Sequence, residues 1–336
     1  MVASVVMIGL SVALLAAQEV QPTPPAHRET WLPRIEEAAD LIEIGGFPAA
    51  ITVLEGLRRE QEALQAADEQ TVLALSLLGV CYREMGRYRD AELADRTALL
   101  AARNLNREKQ LALCRPLESL AHLYAEMAHY QRAEGLYRRS LEIREAVLGP
   151  DHPSVGQVLN NLGEVHRRAG RSSDAERFLL RSLALSRSAL GSSHPEVAVA
   201  LNNLGTLYGD AGHLLKARGY LEEAVAIWRA TYGESHPAYA TGLVNLATLY
   251  SQINRPAEAE ALYVQALAIL KRVLGPEHHR VGWALSQYAS TLRRLDRRKE
   301  AHDAEKRARE ILERHARKNL LHLTVDISEL GRKTGD

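Results

Sequence analysis

Hydrophobic and polar positions along this chain repeat every 42 residues. Residues 201–208 read LNNLGTLY; the stretch 42 positions earlier reads LNNLGEVH, and the stretch 42 positions later reads LVNLATLY. Fainter copies stand at 75–82 (LSLLGVCY), 117–124 (LESLAHLY) and 285–292 (LSQYASTL), and the register never slips. A fixed period of this size marks a stacked array of like units without a single central core. Two sets of breaks divide each period. Gly149, Gly191, Gly233 and Gly275 form one; Gly86, Ala128, Gly170, Gly212, Asn254 and Asp296 form the other. Glycine just past a helix takes the left-handed conformation cheaply, and Asn or Asp tolerates it. Each unit therefore reads as helix A, tight turn, helix B, short loop. Ala128 fits that scheme poorly, which predicts a modified turn there.

Helix A carries its own opening signal: Asp151-His-Pro, Ser193-His-Pro-Glu196 and Ser235-His-Pro. Asp or Ser is expected to cap the first amides, Pro suits the first turn, and Ser193 with Glu196 reads as a capping box. Ser173-Asp-Ala-Glu176 reads as a second box, opening helix B. Small residues form two columns: Gly79, Ala121, Gly163, Gly205, Ala247 and Ala289 on helix A, and Ala91, Ala133, Ala175, Ala217, Ala259 and Ala301 on helix B. Helices approach closely only where both faces lack bulk, so these columns mark the A–B crossing. Leu-x-x-Leu-Gly-x-x-Tyr followed by Ala-x-x-x-Leu or Tyr is the tetratricopeptide pattern, here with helices longer than the usual unit of about 34 residues. The 42-residue spacing and the segments GPDHPSV, GSSHPEV, GESHPAY and GPEHHRV resemble the repeats of kinesin light chain, over roughly 70–316. That resemblance implies an all-α, right-handed superhelical solenoid of about seven helix pairs. It is specific for a repeat type and not for a cellular role. No heptad segment precedes the repeats, so the chain is not read as a kinesin subunit.

The ends depart from the repeat. Residues 1–17 contain the uncharged run VASVVMIGLSVALLAA, read as a secretory signal cleaved near Ala16 or Ala17, or as a short anchor, although its n-region lacks Lys and Arg. Residues 18–29 read as a Pro-rich linker. The solenoid is expected over 30–316, with a tail at 317–336. Its first pair, from Trp31 to about Glu69, is degenerate and one residue out of register, as a capping repeat can be. The last helix B, about 298–316, is basic. It reads either as an anionic docking face or as a solvated cap laced by pairs such as Asp303–Arg307 and Glu305–Arg309, and the second reading is favoured. Leu321, Leu323, Val325 and Ile327 alternate like a strand.

Composition changes the picture little. Of 336 residues, 25% are charged and the formal net charge is zero, which argues against nucleic acid as the main partner. No membrane contact is expected beyond the N-terminal segment. The protein is expected to be exported, periplasmic or extracellular, with the cytoplasm as the alternative. No phosphate loop, H-E-x-x-H or G-x-S-x-G is present, so neither enzymatic activity nor a cofactor is expected. His152, His194, His236 and His278 recur one per repeat, about 10 Å apart, too far to converge on one metal ion. Cys81 and Cys114 occupy columns nine positions apart on helix A, about 13 Å, beyond the reach of a disulfide at about 7 Å. Two buried thiols are expected.

Function is expected on the inner surface, which helix A lines. In the kinesin light chain family and similar repeats, Asn on helix A holds the backbone of an extended partner peptide. The resemblance places that role on Asn161, Asn203 and Asn245, in one column with Ser119 and Gln287; Leu77 breaks the column. Neighbouring columns would read side chains, among them Arg168, Asp210, Gln252 and Arg294 below Glu126. They mix signs, so neither an acidic nor a basic peptide is favoured. The resulting expectation is a scaffold or adaptor that binds a protein or peptide ligand. The alternatives are an accessory subunit of a separate enzyme and, less favoured, a catalyst acting through the histidine column.

Overall fold

The computed structural model describes residues 31–64, 68–103, 105 and 107–317. The N-terminal run, the linker and the alternating tail lie outside the described residues. Among the described residues, fourteen α-helices follow one another as seven antiparallel pairs. They are α1 Trp31–Glu43, α2 Phe47–Leu64, α3 Glu69–Glu84, α4 Tyr88–Arg103, α5 Cys114–Glu126, α6 Tyr130–Leu148, α7 Pro153–Arg168, α8 Ser172–Leu190, α9 Pro195–Asp210, α10 Leu214–Tyr232, α11 Pro237–Gln252, α12 Pro256–Leu274, α13 His279–Arg294 and α14 Arg298–Arg317. A 3-10 segment, Arg107–Leu113, bridges α4 and α5. Odd-numbered helices are the A helices. Each pair packs on its neighbours, and the A helices also touch one another in sequence.

The small columns are the crossing points. A methyl group on Gly163 would lie 2.5 Å from Leu179 Cγ and 3.3 Å from the carbonyl of Ala175; on Gly205, 2.6 Å from Leu221 Cγ and 3.2 Å from the carbonyl of Ala217. The facing alanines 91, 133, 175, 217 and 259 are completely buried. The turns follow the second set of breaks, with positive φ at Gly86, Gly170 and Gly212, at Asn254 and at Asp296. Ala128 is not a modified turn. Its φ is +60°, and its amide and that of His129 bond the carbonyls of Ala125 and Tyr124 just as Gly170 and Arg171 bond those of Arg167 and His166. The neighbouring helices impose the turn and the alanine bears the strain. The first pair turns at Gly45 (φ +81°) and buries Ala50, each one position beyond the repeat register.

Capping departs from expectation. Asp151, Ser193 and Ser235 do not cap. The N-cap is the histidine after them: Nδ1 of His152, His194, His236 and His278 accepts the amide of Ser154, Glu196, Ala238 and Arg280 at 3.2, 3.3, 3.1 and 3.2 Å. Nor does Ser173 open helix B. Helix α8 begins at Ser172, its N-cap is Arg171, and no side chain caps it. Cys81 and Cys114 are buried thiols, and burial pushes the Cys114 thiol up to about 11.

The stack curves until its ends meet. Gly45, in the first turn, lies against Leu274 and the carbonyl of Val273 at the end of α12. The Phe47 ring stacks on His278 with centroids 6.3 Å apart, and the Tyr88 hydroxyl lies 3.1 Å from Nε2 of His315. This closure explains α3, which is buried at every position from Thr71 to Glu84, where an A helix of an open stack would wet one face.

Candidate functional site: the inner surface

The A helices present the same register positions inward, but not equally. Ser119, Asn161 and Asn203 are buried, with Asn203 at 1% exposure, whereas Asn245 and Gln287 are half-buried. The asparagines form an amide ladder between repeats. Asn203 Nδ2 donates to Asn160 Oδ1 at 2.9 Å, and Asn245 Nδ2 to Asn202 Oδ1 at 2.8 Å. One repeat earlier the acceptor position holds Glu118, which takes its hydrogen bonds from Ser140 and Arg144, and Asn161 Nδ2 is buried without a partner. Ser119 sits beside the buried Asp95.

The second column reaches solvent. Arg168, Asp210, Gln252 and Arg294 are all exposed. Arg168 donates to the carbonyl of Ala125 at 3.3 Å, capping the preceding A helix; Arg294 does the same to Ser251. Asp210 accepts from Arg167. Thr206 and Thr248 turn their hydroxyls back to the carbonyls of Asn202 and Val244, at 2.8 and 2.9 Å. Burial lowers the pKa of His122 to about 3, so its ring is neutral. Near the C-terminal end, Trp283 is 37% exposed, one turn from Gln287, while Trp31 and Trp228 are 1% and 2% exposed.

The basic last helix is laced, though not by the expected pairs. Arg307 reaches Glu310 and Glu277, Arg314 also reaches Glu277, and Glu305 pairs with Arg293 of α13. Among the described residues no helix is long and apolar enough to cross a membrane.

A closed stack of helical pairs with a polar inner face defines a protein-interaction scaffold. The chain belongs to the tetratricopeptide repeat family: family models described as tetratricopeptide repeats match residues 74–112, 112–188, 160–227, 196–272 and 255–314. No curated protein matches it. Among solved structures it is similar to BtubC (BKLC) from P. vanneervenii, at 21% identity over 76% of this chain and 96% of that one, with a TM-score of 0.51. The nearly identical TPR-like repeats of a Podosopora anserina putative kinesin light chain share 25% identity over 63% of this chain and 100% of theirs, with a TM-score of 0.47. A Rap protein complexed with competence and sporulation factor shares 12% identity over 93% of this chain and 94% of its own, with a TM-score of 0.63.

Proposed function

We propose that this protein is a non-enzymatic scaffold that holds an extended peptide segment of a partner protein against the inner face of its solenoid. The observation that carries the reading is Trp283: a large apolar ring left exposed on α13, one turn from Gln287. Aromatic anchors ringed by polar groups are what interfaces cover. The amides of Asn245, Gln252 and Gln287 supply both donors and acceptors to a peptide backbone, and Arg168, Asp210 and Arg294 meet its side chains. Asn161, Asn203 and Ser119 belong to the same column but are buried, so the half-buried Asn245 and Gln287 carry more of the contact. The N-terminal run is assigned to export, which N-terminal sequencing of protein from its host tests; retention of Met1 in a cytosolic fraction would contradict it.

The test uses the indole as its own probe. Peptides selected against the protein from a random display library should shift Trp283 emission to shorter wavelength on binding. Trp283→Ala should abolish that shift. Gln252→Ala with Gln287→Ala should weaken binding by about 5- to 150-fold, two hydrogen bonds at about 0.5–1.5 kcal/mol each, with the melting temperature unchanged. Selected peptides that bind all variants alike would remove the inner face from the account.

A further inference from the structure

The closure of the stack brings together three groups that are far apart in sequence. Glu84, at the end of α3, meets His278 and His279, at the start of α13, and one ligand atom from each lies within 4.8 Å of the others. We infer that this cluster is a binding site for a single divalent transition-metal ion, zinc in the first instance, that staples the second repeat to the seventh.

Three observations converge. The first is placement. Glu84 Oε2 stands 3.8 Å from His278 Nε2, with the two side chains 4% and 7% exposed. Ligands bound at 2.0–2.1 Å around a tetrahedral ion sit about 3.4 Å apart, so small rotamer adjustments suffice. The second is unmet bonding capacity. His278 Nε2 and His279 Nδ1 are both buried and have no hydrogen-bond partner. Buried polar atoms are rarely left so, and a bound ion is one recognised reason. The third is the donor set. Two imidazoles and a carboxylate leaving one position open is a zinc coordination set.

The surroundings set the strength. Arg83 donates to the other carboxylate oxygen, Glu84 Oε1, at 3.2 Å and orients it. The His279 ring lies 4.6 Å from that of His315, itself held by Tyr88. Two features oppose the ion. Arg83 and Arg280 add positive charge beside it. His278 Nδ1 accepts the Arg280 amide, which places the imidazole proton on Nε2, so ligation moves that proton to Nδ1 and gives up the cap. Affinity is therefore expected in the micromolar range.

The experiment titrates zinc chloride into the chelator-stripped full chain by calorimetry, with cobalt(II) absorption in the visible as a check on inner-sphere binding. The expected result is one equivalent per chain, a higher melting temperature with zinc, and a loss of at least tenfold in affinity in both Glu84→Gln and His279→Ala. Far-UV circular dichroism confirms that each variant folds; the two are independent, so one folded variant is enough to read the site. His278→Ala is avoided because it also removes a helix cap. No uptake by the wild type, or equal uptake by wild type and variants, the mark of an adventitious ion only, overturns the proposal.

Discussion

At the scale of single residues, the places where this chain strains are set by its neighbours. Ala128 occupies a left-handed turn that costs an L-residue roughly 1–2 kcal/mol and glycine little. After allowing for the greater freedom of glycine in the unfolded chain, Ala128→Gly should stabilise by about 0.5–1 kcal/mol, and Gly170→Ala should cost a comparable amount; thermal melts of the two check both signs. Glu196 is strained by burial. It sits beside a void of about 20 Å³, accepts from Gln157, and burial raises its carboxyl to about 7 from an ordinary 4.5. The folded chain then keeps a proton that the unfolded chain releases. That contribution to stability is complete below pH 4.5 and is lost as the pH rises to about 7. Glu196→Gln has no such proton, so its melting temperature should pull ahead of wild type between those values and hold the lead above them; parallel curves would contradict this. Sequence indicated the left-handed positions that glycine, Asn or Asp marks, and missed the one at Ala128, where the residue gives no sign of it. It missed the histidine caps because His is not among the usual capping residues, and the Asp or Ser before it drew the assignment one position too early.

At the scale of elements, the asparagine column joins helices as well as lining a surface. Asn203→Ala removes a buried bond from α9 to α7 and leaves Asn160 without its donor, a loss of about 1–3 kcal/mol. Asn161→Ala removes a buried N–H that has no partner, so most of that penalty is absent. Chemical denaturation should therefore rank Asn203→Ala well below Asn161→Ala, and equal losses would show that the ladder carries no stability. The helices themselves, their pairing and their small-residue crossings were legible in the 42-residue period, since each depends only on residues within one repeat. The ladder was half-legible. The doublets Asn160-Asn161 and Asn202-Asn203 are visible in the sequence, but their pairing across a repeat plus one residue requires knowing how far successive A helices are offset.

At the scale of the molecule, α14 seals the apolar end, burying Ala301, Ala308 and Ile311 against α13. A chain ending at Asp296 should keep its helicity per residue and yet aggregate, as light scattering after size-exclusion chromatography would show; a monomeric, soluble product would contradict the capping role. The meeting of the two ends was not legible at all, because it depends on curvature accumulated over seven pairs and no local spacing encodes it. Yet it limits how this chain can change. An open solenoid can gain or lose whole repeats by duplication or deletion, since each new copy meets only its neighbours. Here one extra copy between the fourth and fifth pairs would carry His278 and His315 round by a further step, away from Phe47, Glu84 and Tyr88. The closure therefore fixes the number of pairs between Phe47 and His315, and lineages of this protein should vary there by substitution within repeats and not by their count.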